Sequence, residues 1–247
     1  MNIAEAYIKF KGQLIILVSG LSGSGKADLA REIERDFKLE RLNLDRYYLP
    51  DFDEKVKLSN GTELVDWDNF DAVDWAKFNG DVQRLKKKGV VISGFAFPQN
   101  RLNFGDGAIQ DFHFHLKMSK ETITERRHAF LEKHRDDPQY KPLYDMKDTK
   151  VEKLALNEIT YPRYLESLDQ SLFDVIYNGD NKMVDDIYDD IFEHLVRDIS
   201  EYLYEKAKFE TGKKKKMDKF KSQPKKESTD EDTDDFSITP NTTKILL

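Results

Sequence analysis

Apolar positions in this chain fall into short runs, separated by longer stretches in which they return every three or four residues. Leu14 to Ser19 is a nearly unbroken apolar run of strand length, and Val90 to Phe97 is another. A strand covered on both faces needs apolar side chains at every position, so these runs predict buried strands. Leu39 to Asp45 and Phe112 to Leu116 alternate apolar with polar and predict two more, and Phe173 to Tyr177 predicts a fifth. Between them, Leu29, Ile33 and Phe37 mark a helix over 27–37, and Val73, Phe78, Val82 and Leu85 another over 72–88. Highly charged helices are predicted over 121–135 and 149–168. A last helix carries Val184, Ile187, Tyr188, Ile191, Leu195 and Ile199 on one stripe. Residues 1–12 read as a helical lead-in ending at Gly12, and 51–63 as a polar segment turning at Asn60-Gly61. Strands alternating with helices predict an α/β fold in three layers, with a mainly parallel five-stranded sheet and helices on both faces. Ligands of such sheets sit at the carboxyl ends of the strands. Asp45, Ser93 and the segment after Ser19 all fall there.

Composition changes this picture mainly at the C-terminus. Of 247 residues, 38% are hydrophobic and 35% charged, which suffices for one good core. Most of the apolar material precedes Leu203. Beyond Tyr204 come Lys213 to Lys216, Lys225-Lys226 and the acidic stretch Asp230 to Asp235. We expect a globular domain over 1–204 and a charged, disordered tail over 205–247. The lysine run also fits a nuclear address or a nucleic-acid patch. The absence of cysteine excludes disulfides, thiolate metal sites and a cysteine nucleophile. No stretch has membrane-spanning length, and no basic-then-apolar leader opens the chain, so a cytoplasmic protein is expected. The net charge of −7 argues against nucleic-acid binding by the globular part. The oligomeric state is open.

The first strand runs into Gly20-Leu21-Ser22-Gly23-Ser24-Gly25-Lys26-Ala27, and a helix follows at once. This is the arrangement of a phosphate-binding loop, G-x-x-x-x-G-K-[S/T], in a P-loop NTPase-type sandwich. The glycines let backbone N–H groups converge on phosphate oxygens, the helix N-terminus adds positive potential, and Lys26 adds a full charge. Gly20, Ser22, Gly23, Ser24, Gly25, Lys26, Ala27 and Asp28 are the candidate nucleotide-binding residues. Ala27 departs from the pattern, because the usual hydroxyl there holds Mg²⁺. Asp28 lies about 100° further round the helix.

Further stretches discriminate among phosphate chemistries. Asp45 followed by Tyr47-Tyr48, Trp67-Asp68-Asn69-Phe70-Asp71-Ala72, Ser93-Gly94-Phe95-Ala96-Phe97, Arg126-Arg127 and Tyr161-Pro162-Arg163-Tyr164-Leu165 occur in order over roughly residues 13–200. This series resembles the uridine kinase and nicotinamide riboside kinase family. The Tyr-Pro-x-Tyr-Leu stretch leans towards nicotinamide riboside kinases, and Asn-Phe-Asp-Ala-Val towards uridine kinases. The resemblance implies ATP-dependent phosphorylation of the 5′-hydroxyl of nicotinamide riboside, uridine or cytidine, with ATP and Mg²⁺ as cofactors and a small-molecule nucleoside as partner. It implies catalytic roles for Asp45, Lys26, Arg126 and Arg127. Asp45 would accept the hydroxyl proton and hold Mg²⁺ through water. Tyr48, Trp67, Asp68, Arg135 and Tyr161 would line the substrate, with Asp68 accepting from two ribose hydroxyls. Plain packing remains open for Trp67 and Tyr161, and a solvated helix face for the arginines.

Ser93 stands where the family has Glu, a second departure beside Ala27. The alternative reading is therefore a degenerate kinase that binds nucleotide or a partner without turnover. A GTPase is disfavoured, because no Asn-Lys-x-Asp guanine signature is present. His113 and His115 share a strand face, which would suit a metal pair. No third ligand is evident, so ordinary sheet histidines are expected.

Overall fold

A computed structural model describes residues 2–138 and 141–221. Two units are distinguished, Met1–Lys206 and Ala207–Leu247. In the first, α1 (Ile3–Lys11) is closed at both ends by the sequence itself. Asn2 and Glu5 form a reciprocal cap at its start, and Gly12 takes the left-handed conformation at its end. Then follow β1 (Ile15–Gly20), α2 (Lys26–Phe37), β2 (Glu40–Asn43), β3 (Lys55–Lys57), β4 (Glu63–Val65), α3 (Trp75–Leu85), β5 (Val90–Gly94), β6 (Phe112–Lys117) and α4 (Lys120–Lys133). The chain continues with α5 (Lys141–Met146), α6 (Lys150–Ala155), α7 (Tyr161–Gln170), β7 (Val175–Asn178) and α8 (Val184–Lys221). The main sheet is parallel throughout, in the order β2-β5-β1-β6-β7. The α/β class and the five parallel strands agree with the periodicity.

Packing follows from the apolar runs. One face of the sheet carries Leu14, Ile16, Val18, Val91, Phe114 and Leu116, covered by Leu29, Ile33 and Phe37 of α2 and by the stripe Ile187, Ile191, Leu195 and Ile199 of α8. The other carries Ile15, Leu17, Val90 and Ile92 under Phe78, Val82 and Leu85 of α3. A third cluster gathers beyond the strand ends, from Leu21, Phe95, Ala96, Met118, Ile123 and Tyr164. It lies under the candidate site.

Four elements differ from expectation. β2 stops at Asn43, whose side chain accepts from the Asp45 backbone N–H at 3.0 Å, and Leu44–Tyr47 turns as a 3-10 helix. Asp45 is therefore carried on a turn past the strand end. Residues 51–63 are not uniformly irregular, since β3 and β4 pair antiparallel around the Asn60-Gly61 turn. The helix expected over 149–168 is broken by a π turn at Leu156–Thr160, between α6 and α7. The last helix continues past Tyr204 to Lys221, so the first part of the expected disordered tail is helical. Residues 222–247, with Lys225-Lys226 and the acidic stretch, lie outside the described residues. No helix among the described residues is long and apolar enough to cross a membrane.

Candidate functional site

The loop between β1 and α2 is built where a side chain would not fit. Gly23 and Gly25 have φ of +91° and +89°. A Cβ on Gly25 would lie 2.7 Å from Val184 Cγ2, and one on Gly20 would lie 2.8 Å from the Leu116 carbonyl oxygen. Ser22 and Gly23 are exposed, whereas Ser24 is buried and its Oγ has no hydrogen-bond partner among the described residues. Backbone N–H groups at the start of α2 and the Lys26 ammonium thus share one turn, with the Ser24 hydroxyl closed off beneath it beside Gly20. That donor set fits a chain of phosphate oxygens. Among the described residues, Lys26 Nζ hydrogen-bonds only the Leu21 carbonyl, at 3.4 Å. Burial pushes its pKa down, and Asp45 and then Asp68 push it back up. The ammonium therefore senses both carboxylates.

The metal half of the motif fits less well. Ala27 offers no oxygen, and the exposed Asp28 carboxylate is held by Arg31 at 2.9 Å on the outer side of α2. Ser93 is buried at the end of β5 with its Oγ unpaired. Among the described residues, no three acidic or histidine side chains gather as a metal site.

Opposite the loop stand Asp45, Tyr48, Trp67 and Asp68. Asp45 is exposed. Tyr48 has its phenol pKa raised by burial first, then by Asp45 and Asp68, so it stays a hydrogen-bond donor. Its ring meets Trp67 edge-on at 5.9 Å. Trp67 is 44% exposed, more than a core tryptophan would be, and leaves an aromatic surface open. Burial also pushes the Asp68 carboxyl up; the Thr160 hydroxyl opposes this, Asp66 adds to it, and Arg127 and Lys26 oppose it again.

Three contacts tie this wall and the β3–β4 hairpin to the π turn and α7. The Thr160 hydroxyl donates to Asp68 at 2.7 Å. Arg163 donates from Nε and Nη2 to Asp66 Oδ2 at 3.1 and 2.9 Å. Ser59, in the hairpin turn, donates from its backbone and hydroxyl to Glu158 at 2.8 and 2.6 Å. Sequence reasoning missed Asp66, Thr160, Arg163 and Glu158. The Asp66-x-Asp68 spacing was a usable signal; the partners, more than ninety positions away, were not.

The arginines separate. Arg127 acts electrostatically on Asp68, and its backbone runs beside Gly23, so it belongs to the site's surroundings. Arg126 instead donates to the Gly179 and Lys182 carbonyls at 3.0 and 3.2 Å, fastening the segment between β7 and α8. Arg135 is exposed just after α4 and pairs with its neighbour Asp136 at 3.5 Å. Tyr161 packs against Tyr164 with Lys120 Nζ 4.4 Å from its ring centre.

No family model matches the chain, and no curated protein does. Among solved structures, a gluconokinase from Sinorhizobium meliloti is 15% identical, with 78% of this chain and 97% of that chain covered at a TM-score of 0.47. A sugar kinase from Janibacter is 17% identical over 77% and 98%, with a TM-score of 0.45. The thymidylate kinase of Candida albicans is 15% identical over 75% and 92%, with a TM-score of 0.43. Likeness at this level does not bear on what the present chain does.

Proposed function

We propose that the chain is an ATP-dependent kinase that phosphorylates the 5′-hydroxyl of a ribonucleoside-like substrate, nicotinamide riboside or a pyrimidine nucleoside. The observation that carries this reading is the position of Lys26: one ammonium at the foot of the phosphate loop lies within electrostatic reach of both Asp45 and Asp68. A donor phosphate held by the loop would then face carboxylates suited to an acceptor sugar. Asp45 orients the attacking hydroxyl and takes its proton. Asp68, held by Thr160, keeps lone pairs for ribose hydroxyls. Trp67 and Tyr48 offer aromatic surface to the base, and Tyr161 packs in the separate cluster that holds Leu21, Phe70 and Tyr164. Arg127 is the arginine best placed to neutralise phosphoryl charge. ATP fits the cradle of glycine backbone and Lys26. Magnesium lacks a protein oxygen at Ala27.

A binding protein without turnover is the second reading, favoured by Ala27 together with the unpaired Ser93. Losing one group that stabilises transferring charge often costs about 3–4 kcal/mol. A coupled assay with ATP, Mg²⁺ and a panel of nucleosides separates the readings. The kinase consumes ATP only when its acceptor is present, and Asp45→Asn abolishes this. Thermal protection by ATP with no product from any nucleoside supports the binding protein instead.

A further inference from the structure

Behind the site, four buried polar side chains form a line that the proposed chemistry does not use. His113 Nδ1 lies 2.6 Å from the Leu172 carbonyl oxygen, and His113 Nε2 lies 2.7 Å from Ser19 Oγ. Ser19 Oγ is 2.9 Å from His115 Nδ1, and His115 Nε2 is 2.9 Å from the Tyr164 hydroxyl. Ser19, His113, His115 and Tyr164 are each no more than 1% exposed.

The proton positions follow from one fixed end. A carbonyl oxygen can only accept, so His113 carries its proton on Nδ1 and its Nε2 is an acceptor. The Ser19 hydroxyl must donate to that Nε2. Ser19 Oγ then accepts from His115 Nδ1–H, and His115 Nε2 accepts from the Tyr164 hydroxyl. Every donor points the same way, from Tyr164 along one face of the sheet to Leu172. Reversing any single bond leaves two acceptors or two donors facing each other in a buried place, which costs about 1–3 kcal/mol. Burial independently keeps both rings neutral, pushing His113 down to about 3 and His115 down to about 4.

The ends of this line matter for position. Ser19 directly precedes Gly20, the first residue of the phosphate loop. Tyr164 sits on α7, one residue after Arg163 and four after Thr160, which hold Asp66 and Asp68. We infer that Ser19, His115 and Tyr164 are positioning residues that register the acceptor-side helix against the phosphate loop, with His113 anchoring the far end. A shift of α7 that follows acceptor binding is transmitted to the start of the loop through a hydrogen-bonded line with only one satisfied arrangement. The nucleotide-coupling part of this inference rests on the function proposed above; the polarity of the line does not.

Nitrogen-15 NMR of the full chain, without ligand, tests the polarity. Both histidines are expected as neutral Nδ1–H tautomers, the less common form in free histidine. Finding either as Nε2–H overturns the relay. Tyr164→Phe removes one oxygen; it is expected to change the His115 ring signals and to move the backbone amides of Ser19, Gly20 and Leu21. If only residues next to Tyr164 respond, the link to the loop is wrong. Ser19→Ala supplies the same readout from the other end, where His115 and His113 both change and Tyr164 follows. In calorimetry, Tyr164→Phe should bind ATP at least about fivefold more weakly than the parent chain, as expected of coupled sites. Equal affinity refutes the coupling. A parent chain that does not bind ATP refutes the proposed function instead, and the NMR result still decides the relay.

Discussion

At the scale of single residues, the site places acids where they are costly and useful together. Burial raises the pKa of Asp68, so ionising it costs the folded chain stability that the Thr160 hydroxyl, Arg127 and Lys26 return only in part. A carboxylate with a raised folded pKa weakens the fold as pH rises through the unfolded value and the group ionises. Asp68→Asn keeps an oxygen for Thr160 and removes the charge. It should therefore stabilise the chain at neutral pH by about 0.5–2 kcal/mol in urea titrations while abolishing acceptor-dependent activity. Unchanged or lower stability would mean that Asp68 is paired more strongly than its surroundings imply. The histidines act in the opposite pH direction. Their folded pKa values of about 3 and about 4 lie below the ordinary 6.5. The unfolded chain then binds more protons, so stability is full above about pH 6.5 and falls as pH drops towards 4. Melting curves across that window should show the fall, and His113→Gln should flatten it. The sequence showed the two histidines on one strand face but not their burial. Alternation along Phe112 to Leu116 suggests a solvated face, whereas hydrogen bonds from Ser19 and Tyr164 allow the rings to sit inside.

At the scale of elements, what could be read from the sequence was what local spacing encodes. The apolar runs of β1 and β5 and the four-residue stripe of α2 mark their own positions, because a parallel sheet is covered on both faces. The glycine loop was legible for the same reason: its backbone demands are local. Gly25→Ala adds a Cβ 2.7 Å from Val184 at φ of +89° and should weaken ATP binding at least tenfold, an effect of about 1.4 kcal/mol or more. Calorimetry checks this, and the double change with Val184→Ala should restore stability better than affinity. The hairpin of β3 and β4 was hidden because three-residue strands, Lys55–Lys57 and Glu63–Val65, carry almost no period. The π turn was hidden because one extra residue barely disturbs a helical pattern. Such turns recur at functional positions, and this one sets the direction of Thr160 and Arg163. Thr160→Val together with Arg163→Met removes the contacts this turn directs at Asp68 and Asp66. Acceptor-dependent activity should disappear with helix content by circular dichroism unchanged; retained activity would separate the turn from the site.

At the scale of the molecule, the organisation is a phosphate cradle at the end of β1 and an acidic wall beyond β2. The hairpin and α7 are fastened to that wall by pairs such as Asp66–Arg163 and Ser59–Glu158. Those pairs join positions 97 and 99 apart in the chain, so nothing in the sequence announces them. The wall and the cradle meet at Lys26, and on that meeting the kinase reading depends. Phosphorus-31 NMR of a single turnover tests it most directly, with the chain in excess over ATP and the preferred nucleoside added. The account predicts that the γ-phosphate signal gives way to that of a phosphomonoester, and that Asp45→Asn leaves it in place. A γ-phosphate that shifts on binding yet persists with every nucleoside would contradict phosphoryl transfer at this loop.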